Sequence, residues 1–255
     1  MRILAIGDVV GRPGRRALDL LLPRLKSELC VDFVIANGEN IAGGIGLTPD
    51  TAQEVLESGV DVITTGNHVW AQKEIIPFLD GEMPLLRPLN FPPGVPGRGH
   101  LEKDGVVVVN LIGQTFIGNF ECPFRTMDRL LSDLGDVPRV ILVDFHAEAT
   151  SEKVAMGRYL DGRVTAVLGT HTHVGTIDAG LLPRGTAYVT DIGMTGPVDS
   201  VIGDDVDDVI HRFLTKMPYR LSVGKGKIIL NGVVVEVSAP GAKATSIQRI
   251  QREVQ

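Results

Sequence analysis

The sequence predicts an α/β fold, a layered sandwich of mixed β-sheets flanked by helices. Apolar, β-branched runs alternate with segments whose apolar residues recur at helical spacing, as expected for β-α-β units. Polar side chains of metal-binding types stand directly after several predicted strands, where open α/β sheets build their sites. These observations predict one domain over residues 1–255, with a site at the carboxyl ends of its strands.

Cap and turn residues divide the first half of the chain into strands and helices. Pro13 and Gly14 open a helix after the first strand, because proline is favoured in the first helical turn. Thr48 followed by Pro49 predicts a helix N-cap, and Gly59 ends that helix. The predicted elements are strands 3–6, 33–36 and 60–64, helices from 13, over 49–58 and over 71–79, and an ordered Pro/Gly-rich loop over 84–99.

The second half resumes this alternation and then becomes antiparallel. The predicted elements are strands 106–112, 139–143, 164–168 and 187–191, a long loop over 113–123, and helices over 154–160 and 205–216. Asn231 and Gly232 lie between two β-rich runs, and this pair is typical of a two-residue hairpin turn. We therefore expect a hairpin there, followed by a short polar tail over 245–255.

The composition predicts a soluble, globular, cytoplasmic chain with a large core. Hydrophobic residues make up 44% of the 255 residues. The formal charge of −6 argues against general electrostatic binding of nucleic acid or an anionic membrane. No apolar run approaches the length of a membrane span. Two cysteines are too few for a disulfide framework, and the N-terminus lacks the layout of a secretory signal.

Metal-binding side chains form the most informative pattern in the chain. Histidine, carboxylate and amide side chains follow the predicted strands, and the set contains no cysteine. Such donors suit iron, manganese, zinc or cobalt. The set is too large for one zinc ion but matches two metals roughly 3.5–4 Å apart with a bridging carboxylate. Its members are Asp8, Glu39, Asn40, Asn67, His146, His171 and His173.

The order of these motifs resembles the calcineurin-like metallophosphoesterases. The motifs cover most of the chain and are Gly7-Asp8, Gly38-Glu39-Asn40, Gly66-Asn67-His68, the strand-end His146, and GTHTH at 169–173. The resemblance implies a dinuclear site at the strand carboxyl ends, with His68 as proton donor to the leaving group. One metal would be bound by Asp8, the bridging acid and His173. The other would be bound by the bridging acid, Asn67, His146 and His171.

Two positions depart from that pattern. Val10 stands where the first motif usually carries a histidine, and Gly38-Glu39-Asn40 replaces the usual Gly-Asp pair. We expect Glu39 to bridge the metals and the amide oxygen of Asn40 to fill the vacated position. With the strings GDVVGRPGR and GNHVW, these variants resemble the bacterial YmdB-like family.

Resemblance to that family implies hydrolysis of 2′,3′-cyclic nucleotides. The expected reaction is attack of metal-bound hydroxide on phosphorus, with His68 protonating the departing oxygen. The expected cofactors are two divalent or mixed-valence metal ions per chain, with iron first and manganese or zinc as alternatives. The expected partner is a small phosphodiester, with no stable nucleic-acid complex and no membrane, while a homo-oligomer stays open.

Two alternative functions stay open. The chain is alternatively a phosphomonoesterase of broad range, or a metal-stabilised regulatory module with little turnover. The absence of a histidine at Val10 favours the module. His68 argues against it, because a purely structural metal site needs no proton donor.

The roles of several flanking residues also stay open. Asp144 and Glu148 flank His146 and either orient it or belong to a solvated face. Three arginines follow the first strand at the start of a helix, where phosphate binding is favourable. They either contact the substrate or belong to a solvated helix surface. These are Arg12, Arg15 and Arg16.

Overall fold

The computed structural model describes residues 1–135, 137, 139–238 and 242–254, which form two β-sheets with helices on their outer faces. The strands are β1 (Arg2–Ile6), β2 (Asp8–Val9), β3 (Phe33–Asn37), β4 (Val62–Thr64), β5 (His100–Lys103), β6 (Val106–Ile112), β7 (Val140–His146), β8 (Ala166–Thr170), β9 (Gly180–Leu181), β10 (Ala187–Val189), β11 (Met194–Pro197), β12 (Ile228–Val237) and β13 (Ala244–Glu253). The helices are α1 (Gly11–Glu28), α2 (Pro49–Glu57), α3 (Pro123–Leu134), α4 (Thr150–Leu160) and α5 (Val206–Thr215), with a 3₁₀ helix at Lys73–Phe78.

Both sheets are mixed, which confirms the predicted fold class. The first sheet has the order β2-β11-β12-β1-β3-β4, with β13 paired to β12, and the second has the order β5-β6-β7-β8-β10-β9. In the first sheet β1, β3 and β4 are parallel neighbours, and in the second β6, β7 and β8 are. The polar clusters therefore emerge from the carboxyl ends of parallel strands in two sheets.

Burial on both faces explains why the central strands are continuously apolar. Along β1, Ile3 and Ala5 pack in the core between the sheets, whereas Leu4 and Ile6 face the core beneath the helices. The second sheet repeats this arrangement, because Val108 packs between the sheets and Val107 packs on the helix side. The molecule is consequently a layered sandwich with an apolar core on each side of each sheet.

Helix α2 begins where its cap residues predict. The Thr48 side chain accepts a hydrogen bond from the Thr51 backbone amide, and the Thr51 side chain accepts one from the Thr48 amide. This reciprocal capping satisfies two amides that a helix start leaves without partners, and Pro49 needs no partner at all.

The predicted hairpin turn at Asn231 and Gly232 is wrong, because both residues lie inside β12. Asn231 donates through Nδ2 to Met194 O at 2.7 Å and accepts at Oδ1 from Gln251 Nε2 at 3.0 Å. A Cβ on Gly232 would lie 2.9 Å from Ala5 O, so glycine permits close approach of β1. Both residues thus serve strand packing rather than chain reversal.

Other elements also differ from the sequence-based prediction. The expected helix over 71–79 is a short 3₁₀ helix containing Pro77, and strand β5 and helix α3 were not expected. The proline of Cys122-Pro123 begins α3, although the sequence suggested the end of a loop. The expected polar tail is strand β13, which pairs with β12 along its length. It is polar because an edge strand buries little of itself, here chiefly Ala244 and Ile250.

Across the residues that the structure describes, no helix combines the length and apolarity needed to cross a membrane.

Candidate metal centre

Side chains from both sheets converge on His146 Nε2 at the end of β7. This atom lies 3.0 Å from Glu39 Oε1, 3.1 Å from Asn67 Oδ1 and 2.9 Å from His171 Nδ1. Glu39 and Asn67 follow β3 and β4 of the first sheet, whereas His171 follows β8 of the second. Single ligand atoms of Glu39, His146 and His171 all lie within 4.8 Å of one another, close enough to share one metal ion.

Asp8 and His173 extend this group. Asp8 Oδ1 lies 3.8 Å from His173 Nε2 and 3.9 Å from His146 Nδ1, while Asp8 Oδ2 accepts from the His171 amide at 3.1 Å. The Oδ1 atom is buried and has no hydrogen-bond partner among the described residues. Burial of an unpaired carboxylate oxygen costs free energy, and a bound cation would remove that cost.

Asn40 lies beside both Glu39 and Val10. Val10 and Asn40 form an isolated backbone bridge, so the position that lacks a histidine neighbours the residue expected to replace it. The side-chain amide of Asn40 faces Glu39 Oε1 at 3.2 Å, and with Nδ2 on that side it donates to this oxygen. Rotation of the amide would turn Oδ1, the atom that can bind a cation, to the same side. The sequence-predicted ligands therefore lie together, and we call them the inner cluster: Asp8, Glu39, Asn40, Asn67, His146, His171 and His173.

The inner cluster fits the metals that the sequence suggested. Its donors are carboxylate, amide and imidazole groups, which suit iron, manganese or zinc. A Cβ on Gly66 would lie 2.3 Å from His146 Nε2 and 2.5 Å from Glu39 Oε2, so only glycine allows these donors to approach the Asn67 loop. The unpaired Asp8 oxygen and this space at Gly66 are the structural signs of fit.

Electrostatics couple the buried members of the inner cluster. Burial raises the pKa of Asp8 to about 6, against the charges of His173 and His146. Burial alone would raise the pKa of Glu39, but the charge and hydrogen bond of His146 lower it to about 2. Burial alone would lower the pKa of His146, but Glu39, with Asp8, raises it to about 9. Burial and the charge of His146 lower the pKa of His171 to about 3.

Asp144 belongs to a buried network beneath His146 and not to a solvated face. Asp144 accepts from Thr170 Oγ1 at 2.6 Å and from Asn37 Nδ2 at 3.1 Å, and Thr170 Oγ1 lies 3.0 Å from His146 Nδ1. This chain fixes the ring of His146 so that Nε2 faces the inner cluster. Glu148 is half exposed, and its Oε2 lies 3.1 Å from His171 Nε2.

A buried ion pair holds the loop that carries His171 and His173. Both histidines have left-handed backbones, with φ of 97° and 65°. Asp191 Oδ2 accepts from the amide and hydroxyl of Thr172, at 3.2 and 2.7 Å, and from Lys153 Nζ at 2.7 Å. Asp191 and Lys153 are both buried, and their contacts oppose relaxation of this strained loop.

Sequence reasoning missed this ion pair, although both residues carried a signal. Asp191 ends a predicted strand, as the inner-cluster residues do. Lys153 precedes Met156, Gly157 and Leu160 at helical spacing on the buried face of α4. A lysine on an apolar helix face indicates a buried partner.

His68 lies at the mouth of the inner cluster. Its backbone amide donates to Glu39 Oε2 at 3.0 Å, and its ring Nε2 lies 3.2 Å from Asn67 Nδ2. The second contact turns the Asn67 amide so that Oδ1 faces His146. Trp70, two residues further along the chain, lies with its ring against Phe91.

A cleft of 480 Å³ opens from the inner cluster and includes His68, His171 and His173 in its lining. We call its far side the outer wall, which consists of Ile202, Asp204, Arg212, Tyr219, Arg220 and Leu221. The cleft arginines are thus Arg212 and Arg220. The three arginines considered from the sequence lie at the start of α1. Arg15 forms an ion pair with Glu54 at 2.6 Å, and Arg12 and Arg16 are solvent-exposed and do not line the cleft.

Comparison with known proteins identifies the family of the chain. The family model described as YmdB-like protein matches residues 4–250. A Bacillus subtilis (strain 168) relative named 2′,3′-cyclic-nucleotide 2′-phosphodiesterase is 48% identical over 254 residues, which cover 98% of this chain and 96% of the relative.

Solved structures show the same fold. A Mycoplasma pneumoniae structure described as a novel phosphatase has a TM-score of 0.92 at 35% identity, covering 99% of this chain and 93% of that one. The calcineurin-like phosphoesterase YfkN from Bacillus subtilis has a TM-score of 0.57 at 11% identity, covering 99% of this chain and 90% of that one, and shows likeness of fold alone. The chain therefore belongs to the YmdB-like family and has the fold of the calcineurin-like phosphoesterases.

Proposed function

We propose that the chain is a dinuclear metal-dependent phosphodiesterase that hydrolyses 2′,3′-cyclic nucleotides. The observation that carries the proposal is the convergence of Glu39, Asn67 and His171 on His146 Nε2, beside a buried Asp8 oxygen without a partner. The name of the Bacillus subtilis relative supports the substrate class.

The proposed ligands divide into two groups that share Glu39. One group is Asp8, Glu39, Asn40 and His173, and the other is Glu39, Asn67, His146 and His171. When bound, two such metals supply an activated water and offset the negative charge that develops at phosphorus. Glu39 suits a bridging role because its low pKa keeps both oxygens ionised, and these oxygens face different residues, His146 and His68.

His68 is the proposed proton donor. Hydrolysis of a cyclic nucleotide at the 2′ bond joins a water oxygen to phosphorus and breaks the P–O2′ bond, so the departing oxygen must receive a proton. His68 lines the cleft, and its backbone amide donates to Glu39 Oε2, so we assign its ring to the proposed reacting centre as a proton donor and not as a metal ligand. An imidazole in that position acts as a general acid.

The second candidate function is a phosphomonoesterase, which the description of the Mycoplasma pneumoniae structure as a phosphatase favours. The third candidate is a metal-stabilised regulatory module with little turnover. The phosphomonoesterase differs from a phosphodiesterase in substrate preference, and the regulatory module differs in turnover. One experiment therefore separates all three functions.

The test is metal analysis of protein purified without added metal, coupled to turnover of three substrates. These are adenosine 2′,3′-cyclic phosphate, bis(4-nitrophenyl) phosphate and 4-nitrophenyl phosphate. We expect two metals per chain and a preference for diesters. A monoester preference would support the phosphatase, and turnover no higher than that of a metal-stripped control would support the module. One metal per fully loaded chain would reject the dinuclear site.

The role of Asn40 has its own test. We expect Asn40→Ala to weaken one metal selectively, because the group around Asn67, His146 and His171 stays complete. Calorimetric titration of stripped protein with Mn²⁺ measures both affinities. If both remain unchanged, Asn40 is not a ligand.

A further inference from the structure

The cleft beside the inner cluster exposes apolar side chains that no packing requirement explains. Ile45, Ile202 and Tyr219 are 47%, 51% and 46% exposed, yet all three line the cleft that contains His68. Exposed apolar groups gathered in a concave site are typical of ligand binding. The ring of Tyr219 is also held in place, because its centroid lies 4.8 Å from that of His211.

Ile202 adds a second, independent sign. Its carbonyl accepts from His173 Nδ1 at 2.6 Å, so it directly adjoins a member of the inner cluster. Its φ is 49°, a left-handed conformation that is rare for a β-branched residue and that glycine or asparagine adopts more easily. A half-exposed isoleucine with a strained backbone contributes little to the stability of the fold. Such backbone strain concentrates at ligand-binding positions.

Two guanidinium groups complete the outer wall. Arg212 and Arg220 line the same cleft, although the chain as a whole carries a formal charge of −6. Burial raises the pKa of Asp204, which also lines the cleft, and the positive charges of His173 and Arg212 oppose that rise. An aromatic ring, aliphatic groups and guanidinium planes together are the surfaces on which nucleobases stack.

We propose that Tyr219, Ile202 and Ile45 form a nucleobase subsite, with Arg212 and Arg220 at its edge. The inference rests on the proposed function for its reaction and extends it by naming the residues that select nucleotides over other cyclic diesters. A cleft of 480 Å³ lies within the usual range of small-molecule sites, roughly 300–1,000 Å³. In this arrangement the base packs against the outer wall, and the phosphate lies at the inner cluster.

The test compares two five-membered cyclic diesters, adenosine 2′,3′-cyclic phosphate and glycerol 1,2-cyclic phosphate, which lacks a base. We expect Tyr219→Ala to lower the ratio of their kcat/KM values about tenfold, because stacking favours only the nucleotide. We expect Ile202→Asn to lower the same ratio while its Tm stays equal or rises, because asparagine tolerates the left-handed backbone. The matched control is Leu214→Ala on α5, which is exposed and outside the cleft lining and should change neither value.

Equal losses for both diesters, or an unchanged ratio in both variants, would overturn the subsite. Binding separates this failure from failure of the proposed reaction. If the protein hydrolyses neither diester, calorimetric titration with adenosine 3′-monophosphate and glycerol 2-phosphate still tests the subsite. Tighter binding of the nucleotide, lost in Tyr219→Ala, would support it, and equal binding of the two phosphates would reject it.

Discussion

The inner cluster and the outer wall meet at the hydrogen bond between His173 and Ile202, yet they are built in opposite ways. His146 is fully buried and contacts polar atoms from four segments of the chain, including Glu39 and Thr170. The outer wall is carried by α5 and its flanking residues, where Val209 is the one buried side chain of the helix. Under the proposed function, this difference predicts that the core holds the reacting groups, whereas substrate selection depends on a segment of the surface.

The base of this segment is closed by local hydrogen bonds. Asp204 and Val223 form an isolated bridge, the Asp205 amide donates to Ser222 O at 2.8 Å, and the Ser222 amide donates to Asp208 Oδ2 at 2.9 Å. Within such a segment a substitution changes local contacts with little effect on the sheets. Within the inner cluster and its supports, a substitution leaves buried charges without partners.

The largest expected effect is at His68, which lines the cleft between the two regions. Loss of a general acid typically costs about 10²–10⁴ in rate, so we expect His68→Ala to lower kcat for cyclic nucleotides by that factor. An activated nitrophenyl diester should lose much less, because its leaving group needs no proton. Metal content and Tm should stay unchanged. Equal losses for both substrates, or loss of metal, would move His68 to a positioning role.

The next effect is on stability and concerns the ion pair that supports the inner cluster. We expect Lys153→Met to lower the free energy of unfolding by about 3–5 kcal/mol, because Asp191 stays buried without its cation. Urea unfolding of metal-free protein measures this. The matched control is Arg24→Met, which breaks an exposed pair with Glu28 and should cost at most about 1 kcal/mol. Similar losses in the two variants would show that the buried pair has no special role.

A further expected effect is proton release on metal binding. The pKa of His146 is raised to about 9, so at pH 7 the metal-free ring carries a proton that a metal at Nε2 must displace. We expect release of about one proton per chain at pH 7 and an affinity that rises with pH until it levels off near pH 9. Titration calorimetry in buffers of different ionisation enthalpy counts the protons. Binding without release would show that His146 is not a ligand.

The smallest expected effect is on the exposed face of α5. Leu214 is 80% exposed, so Leu214→Ser should change the free energy of unfolding by no more than about 0.5 kcal/mol. Urea unfolding checks this. A loss comparable to that of Lys153→Met would contradict the contrast between the two regions.

The sequence by itself determined the fold class and which polar groups follow the buried strands. Buried parallel strands need β-branched runs, and the polar residue that ends each run is readable without coordinates, as with Asp8 and His146. The Thr48 cap was equally local, because its partner lies three residues away. Whether each inner-cluster residue binds a metal stays a prediction.

Tertiary structure alone decided the features that depend on distant partners. Asn231 and Gly232 have the sequence of a turn, but pairing with β1 and β13 on both sides makes them part of a strand. The division of the strands into two sheets, the pairing of Lys153 with Asp191, and the approach of Arg212 and Arg220 to the cleft likewise join segments far apart in the chain. The local sequence pattern determines the periodicity and the end caps of a helix or strand. Which elements pack beside it depends on how the whole chain buries its apolar surface.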